Sequence, residues 1–438
     1  MEERPSLTAD QTYDVAVIGG GASGLAAAIA ASREGARTCI IERDVAAGLT
    51  ILATGNGRCN LSNAHLDPAS YRHPETFREI VGGTPEAELQ GFFESLGLMV
   101  AEEGDGRLYP RTRRAESVRD VLLQTCGREG VDLRCCTSLT DARRDTDGAI
   151  WELFVAEPEE PLRCKRGRDE RTTLRNARRA LRVTRLVERP LCARAVIIAC
   201  GGTCKEVAEL FGLPHLPEEP VLCPVACAAH DLDLAKLDGL RVEAGLSLMR
   251  GDATIAHEEG EVLFRPYGIS GIAAFNLSRC SKSGDVIELD LFPELTEAEL
   301  AENFRSREEF VGPLAATGPS WFDGILAPAL GKQISATISA NHEDALTAAL
   351  RCKHLNLAVT GLAETDRAQL RRGGIPLDAL DLSTLAVRPS IAPALHVCGK
   401  ALDMDADCGG YNLAWAWLSG LRAGSAAARI HTTEKDHA

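Results

Sequence analysis

Short apolar runs closed by glycine recur along the chain and set its basic pattern. DVAVI (14–18) is the first, and its unbroken hydrophobicity is that of a parallel strand buried on both faces. An alanine-rich stretch from Ser23 to about Glu34 predicts a helix, and TCII (38–41) predicts a second strand. Two similar runs come far later: AVIIAC (195–200), followed by Gly201-Gly202, and ALHVCG (394–399). Together they predict an open parallel sheet assembled from distant pieces of chain, an α/β fold of Rossmann-like type split in sequence.

Between these runs, EGDGRLYPRTRRAES reads as a loop, VRDVLLQTCGREG as a helix and VDLRCC as a strand. From about 215 to 292, short alternating segments such as VEAGLSLMR and DVIELDLFP predict an antiparallel sheet or small barrel. From 295 to 358 the Leu/Ala spacing is helical, broken by Pro and Gly. The expected organisation is a nucleotide-binding domain over 1–210 and 372–438, interrupted by a β-barrel-like unit (211–293) and a helical unit (294–371). The final HTTEKDHA reads as a polar tail.

At 438 residues, 45% hydrophobic and 25% charged, the chain suits a soluble protein of two or three domains. Its net charge of −15 argues against nucleic acid or anionic membrane as a general partner and makes a small molecule the default; nothing in the pattern sets the oligomeric state. The stretch 163–194 departs from that balance, with twelve Lys or Arg against three acids, but it lacks aromatics for stacking and reads as a solvated excursion. Fifteen cysteines with no C-x-x-C and no zinc-type pairing with His suggest reduced cytoplasmic thiols, although Cys200/Cys204 and Cys223/Cys227 have C-x-x-x-C spacing. Val15 to Ser32 is uncharged and long enough to resemble a membrane segment. Its clustered glycines, and Glu2 and Glu3 ahead of it, argue against a span and a signal.

Three motifs carry candidate chemistry. In VIGGGASGLAAAIAASREGARTCIIE, Gly19 permits the tight turn after the strand, Gly21 lets backbone approach a pyrophosphate, and Gly24 lets the helix pack closely, with Ala22 and Ser23 at the helix start. Glu42 ends the second strand eighteen residues after Gly24, where its carboxylate can accept both adenosine ribose hydroxyls, and Arg43 follows it. Glu42 disfavours a 2′-phosphate, and no second G-x-G-x-x-G occurs. FAD held across the sheet therefore fits better than separate FAD and NAD(P)H domains, and Gly201 and Gly399, after the later strands, join the candidate contacts.

The second motif, ILATGNGRCNLSN (51–63), follows the second strand, near the carboxyl ends of the sheet where ligands bind. Gly55 and Gly57 let main chain lie against a flat cofactor, Asn56 and Asn60 can bond its polar edge, and Arg58 can neutralise phosphate or substrate charge. Cys59 reads best as a small packing residue, because no nearby Cys or His supports activation. The third motif, CGKALDMDADCGGYNLAWAWLSGLRAG (398–424), reads as strand end, acid-rich loop, double glycine and then a helix from near Tyr411. That helix start (Gly410, Tyr411, Asn412, Leu413) can face negative charge developing on a reduced flavin. Asp403 suits ribityl hydroxyls or loop backbone. Asp403, Asp405 and Asp407 alternate without the glycine and terminal Glu of a calcium loop, so no metal is expected, and Trp415 and Trp417 read as helix packing.

The segments ILATGNGRCNLSN, GEVLFRPYGISG (260–271) and DMDADCGGYNLAWAWLSG (403–420), behind an FAD fingerprint, resemble the bacterial NAD(P)/FAD-dependent oxidoreductases labelled aminoacetone-oxidase-like, a family that includes a 3-dehydro-bile-acid reductase. The resemblance implies a split FAD domain with an inserted β-barrel-like unit and a helical unit. It also implies FAD contacts at Gly19–Gly24, Glu42, Gly55–Asn60 and Tyr411–Leu413, and a strand ending near Leu139 that presents main chain to the adenine. The chain departs from the family at Lys400, where an acid is usual, at Arg265-Pro266, where Thr-His is usual, and at TCKEVAELFGL, which replaces a longer Gly-rich stretch.

The expected activity is an FAD-dependent oxidoreductase passing hydride from NADH or NADPH to an unsaturated or carbonyl small molecule, a steroid-like enone being one candidate by the resemblance. A flavin oxidase of a small amine, a non-catalytic flavin-binding redox sensor and an RNA-modifying flavoprotein are the alternatives. Tyr267, Arg58 and Arg265 are candidate catalytic groups, because each lies in a motif expected to face the flavin and a tyrosine can give a proton to an enolate.

Overall fold

The structure is a computed structural model and describes residues 12–435 except 105, 146, 314–320 and 342–343. Glu2, Glu3 and the last three residues of the polar tail lie outside the described residues. The chain divides into two units, Met1–Glu219 with Arg372–Ala438, and Pro220–Arg371.

The first unit is built on a nine-stranded sheet. Its parallel centre runs Leu395–Val397, Leu186–Ile198, Tyr13–Ile18, Thr38–Ile41 and Asp132–Arg134, in that spatial order. Val15 pairs with both Thr38 and Ala195, so the carboxyl ends of the strands are aligned and Gly19, Glu42 and Ala199 open onto one edge. Helices cover the sheet, so these strands are hydrophobic without alternation: Val15, Val17, Ile40 and Ile197 are fully buried. The first helix, Ala22–Arg33, packs against the C-terminal helix, Tyr411–Lys435. A Cβ on Gly420 would stand 2.4 Å from Ser23 O, and one on Gly424 2.2 Å from Ala27 O, so this pair of glycines four residues apart sets the close crossing. Trp415 and Trp417 are buried and donate to Gly399 O and Leu61 O, both at 3.0 Å.

In this unit one expectation is borne out and one is corrected. The basic stretch 163–194 joins the paired strands Trp151–Pro158 and Leu186–Ile198 and is mostly exposed, as expected of a solvated excursion; it carries the helix Glu170–Leu181, in which only Ala177 is buried, N-capped by Asp169 accepting from Thr172 N–H at 2.7 Å, with Arg178 paired to Asp44. A strand begins near Leu139 rather than ending there: Ser138–Arg144 pairs antiparallel with Trp151–Pro158, because its leading residues are already tied to the second strand's end through Thr137 N–H to Glu42 O (2.9 Å).

The second unit is a closed six-stranded barrel, in the order Val225–Ala229, Gly268–Ser270, Ala253–Arg265, Arg241–Arg250, Val286–Asp290, Leu355–Leu362. The last strand falls partly inside the stretch expected to be helical to 358. The helix Ala345–Lys353 stops before it, and LNLAVT then alternates buried and exposed positions, pairing with both Val225–Ala229 and Val286–Asp290 to close the barrel. The helices before it share one core with the barrel: Phe304, Trp321 and Ile334 pack in the cluster that holds Leu246, Phe264 and Leu357. Thr296 and Glu299 form a capping box at the start of Glu297–Val311. Among the described residues no helix is long and apolar enough to cross a membrane.

Candidate cofactor and active site

The turn after the first strand is possible only with glycine. Gly19 has φ +108°, and a Cβ there would lie 2.6 Å from Ala199 O; one on Gly24 would lie 1.9 Å from Gly19 O. Gly20 N–H donates to Glu42 Oε2 and Asp44 N–H to Oε1, both at 2.7 Å, so the acid ending the second strand is held rigidly beside the glycine turn. The first helix has Gly21 as its N-cap with no side-chain cap, which leaves its leading N–H groups suited to an anion. A Cβ on Gly21 would meet only Thr50 Oγ1, at 3.4 Å, and one on Gly201 would meet nothing within 4 Å, so both glycines border open space. Arg43 reaches Thr203 Oγ1 at 3.5 Å.

The 51–63 segment forms a tight knot in which Gly55, Asn56, Gly57 and Cys59 all have positive φ, from 54° to 82°. Arg58 N–H donates to Gly55 O (3.0 Å) and Cys59 N–H to Thr54 O (3.1 Å). Cys59 is fully buried, and burial pushes its thiol up to about 11, the state of a packing residue rather than a nucleophile. Asn60 Oδ1 is buried with no hydrogen-bond partner. Arg58 is committed elsewhere: its guanidinium pairs with Glu103 and lies 4.3 Å over the Tyr109 ring, so it is not the free cation the sequence suggested.

The third motif meets the second directly. A Cβ on Gly410 (φ +105°) would lie 2.2 Å from Ser62 O and 2.9 Å from Asn60 Oδ1, while Asn63 Nδ2 donates to Gly409 O at 3.1 Å. Gly399 abuts the first motif, since its Cβ would lie 2.3 Å from Ser23 Oγ. Backbone from 19–24, 55–63, 399 and 409–411 therefore converges at one edge of the sheet. The Asn412 side chain closes the acid loop, with Nδ2 donating to Ala406 O (2.7 Å) and Oδ1 accepting from Ala406 N–H (2.9 Å), and Leu413 packs on the core. The acids are ion-paired: Asp403 with Arg72 (2.7 Å), and fully buried Asp405 in a two-point contact with Arg372 (2.8 and 2.9 Å). Neither arginine partner was legible in the sequence.

A second polar cluster lies on the same unit. Cys204, His215 and Glu218 each bring a donor atom to within 4.8 Å of the others, although the sequence suggested no such Cys–His grouping. Hydrogen bonding from Cys200, with His215 close by, draws the Cys204 thiol down to about 7, while Cys200 is pushed up. Lys400 donates to Gly373 O (3.2 Å) and Leu402 O (3.1 Å), and burial lowers its ammonium's pKa.

In the barrel unit, Tyr267 O–H donates to Glu364 Oε1 at 2.8 Å; burial and that carboxylate raise its pKa, so the phenol keeps its proton at neutral pH. Arg265 lies 5.8 Å from the Tyr267 ring centroid and 3.4 Å from Asp238.

A split Rossmann sheet, a barrel inserted into it and a cradle drawn from both ends of the chain make a specific combination. The HI0933-like protein Rossmann domain matches residues 13–167, and the HI0933-like protein barrel and H2TH domain matches residues 219–369. The chain belongs to the HI0933-like family. This is a flavin-dependent oxidoreductase family with an FAD-type fold. The chain is 30% identical over 446 residues to the 3-dehydro-bile acid delta(4,6)-reductase of Clostridium scindens, covering 94% of this chain and 98% of that one. It is 24% identical over 432 residues to the ribosomal RNA dihydrouridine synthase of Escherichia coli, covering 93% and 96%. The solved 3-ketosteroid-delta4-(5alpha)-dehydrogenase of Rhodococcus jostii aligns over 96% of this chain and 97% of its own, with 14% identity and a TM-score of 0.45, too distant to carry an argument.

The cradle fits FAD. An uncapped helix start behind a glycine turn suits the pyrophosphate, an acid at the end of the second strand suits the ribose, and a buried amide oxygen without a partner suits an N–H on the flavin's polar edge.

Proposed function

We propose that this chain is an FAD-dependent reductase that takes electrons from NADH or NADPH and saturates a carbon–carbon double bond conjugated to a carbonyl, with a steroid-like enone as the leading substrate class. The observation that carries the reading is near end-to-end similarity, at 30% identity, to a protein named as a bile acid delta(4,6)-reductase. Bound FAD supplies the two-electron chemistry. The polypeptide supplies the rest. The first helix start and the Gly19–Gly24 turn neutralise and seat the pyrophosphate, Glu42 fixes the adenosine, and Asn60 with the Gly55–Asn60 and Gly410–Leu413 backbone orients the ring. Tyr267, with Glu364 and Arg265 beside it, is the candidate proton donor, and Arg58, already paired with Glu103, shapes the loop. Fifteen unbridged thiols suit a reducing cytoplasm.

A second reading is favoured by the similarity to a ribosomal RNA dihydrouridine synthase, since uridine also offers a double bond conjugated to a carbonyl. The net charge of −15 weighs against RNA. Anaerobic stopped-flow absorbance separates the readings. Flavin bleached by NADH or NADPH and reoxidised by a Δ4-3-ketosteroid supports the first; reoxidation by uridine-containing ribosomal RNA alone supports the second. Bleaching by an amine, with none by either nicotinamide, overturns both in favour of an oxidase.

A further inference from the structure

Cys204, His215 and Glu218 form a donor set that flavin binding leaves unused. Cys204 precedes the short helix Lys205–Leu210, and His215 and Glu218 stand at the start of the strand Leu216–Val221. The three donor atoms lie within 4.8 Å of one another, and the set is enclosed: Cys204 is fully buried, and the side chains of His215 and Glu218 are 10% and 16% exposed. Glu218 Oε1 is pinned from two sides, by Cys204 N–H at 3.0 Å and by His215 Nε2 at 3.2 Å.

We propose that Cys204, His215 and Glu218 form a zinc site. The donor chemistry selects the ion. Sulfur, imidazole nitrogen and a carboxylate suit a borderline-soft tetrahedral cation, whereas magnesium and calcium take oxygen donors. Tetrahedral zinc, with bonds of about 2.0–2.3 Å, sets its ligand atoms roughly 3.3–3.8 Å apart. Side-chain rotations on the order of 1 Å therefore close the set around the ion, without the backbone rearrangement a scattered trio needs. Cys204 Sγ donates to Ala401 O at 3.5 Å, a weak contact that the thiolate gives up on binding the metal. Lys400, the nearby cation, donates to two backbone carbonyls rather than to the three donors.

The test uses the full-length flavoprotein purified without chelator. Zinc content is measured per flavin, and the metal-free protein is then titrated anaerobically with Co²⁺, whose tetrahedral d–d bands lie to the red of oxidised flavin. The expected result is near one zinc per chain and a saturable Co²⁺ spectrum, with the thiolate-to-metal band lost in Cys204→Ser and affinity at least tenfold weaker in His215→Gln at unchanged flavin content. A wild-type protein that neither retains zinc nor develops the red bands overturns the proposal. So does a Co²⁺ spectrum that both variants leave intact. Flavin absorbance from the same sample reports the cofactor site separately, so failure of one assignment is not failure of the other.

Discussion

Glu42→Gln perturbs the adenosine end of the cradle while keeping its shape. In the structure the two carboxylate oxygens accept separate N–H groups, from Gly20 and Asp44, each at 2.7 Å. A carboxamide has one oxygen, so one of those donors must face an NH2 group, and the ribose hydroxyls lose a charged acceptor. A hydrogen bond to a charged group contributes roughly 1.5–3 kcal/mol, which at 1.4 kcal/mol per decade corresponds to about 10- to 150-fold in affinity. The Kd for FAD, measured by flavin fluorescence quenching on deflavinated protein, is therefore expected to rise by about that factor, while thermal melting of the apoprotein shifts by only a few degrees. A variant that binds FAD within about threefold of the wild type would refute both the ribose assignment and the role of the paired N–H groups.

Three further outcomes follow from particular contacts. Gly410→Ala places a Cβ 2.2 Å from Ser62 O at φ +105°, so it should destabilise the protein by about 1–3 kcal/mol in urea unfolding and release flavin; unchanged stability contradicts the packing described. His396 is buried and held down to about 4 by desolvation, with Nδ1 unpartnered. Below pH ~6.5 the unfolded chain takes up this proton and the folded one does not, so stability present above that pH is lost as pH falls toward 4, by roughly 3 kcal/mol. His396→Leu should flatten that part of the curve, and a parallel decline in both proteins removes the assignment. Tyr267→Phe should lower enone turnover by about 100-fold while leaving flavin reduction by the nicotinamide unchanged; unaltered turnover makes Tyr267 a structural partner of Glu364 only.

The sheet centre was legible because strands buried on both faces must be continuously apolar, and DVAVI, TCII and AVIIAC carry that signature whatever lies between them. The cradle was legible because its backbone demands glycine: Gly19, Gly24 and Gly410 each sit where a Cβ collides with a carbonyl within 2.6 Å. What escaped notice depends on tertiary neighbours. The closing strand Leu355–Leu362 follows a helix directly, and its pairing with Val225–Ala229 joins residues far apart in sequence. Arg58 looked available because its partner Glu103 lies 45 residues away. The close helix crossing escaped too, because Gly420 and Gly424 are required there only by Ser23 O and Ala27 O, which lie almost four hundred residues away in sequence. Cys204, His215 and Glu218 follow no familiar ligand spacing and meet only because the chain turns back after Leu210.

The visible spectrum of the purified protein, followed anaerobically, tests the central assignment most directly. Flavin bound at one per chain, bleaching with NADH or NADPH and recovering with a steroidal enone, is the predicted result. A colourless protein that takes up no added FAD contradicts it.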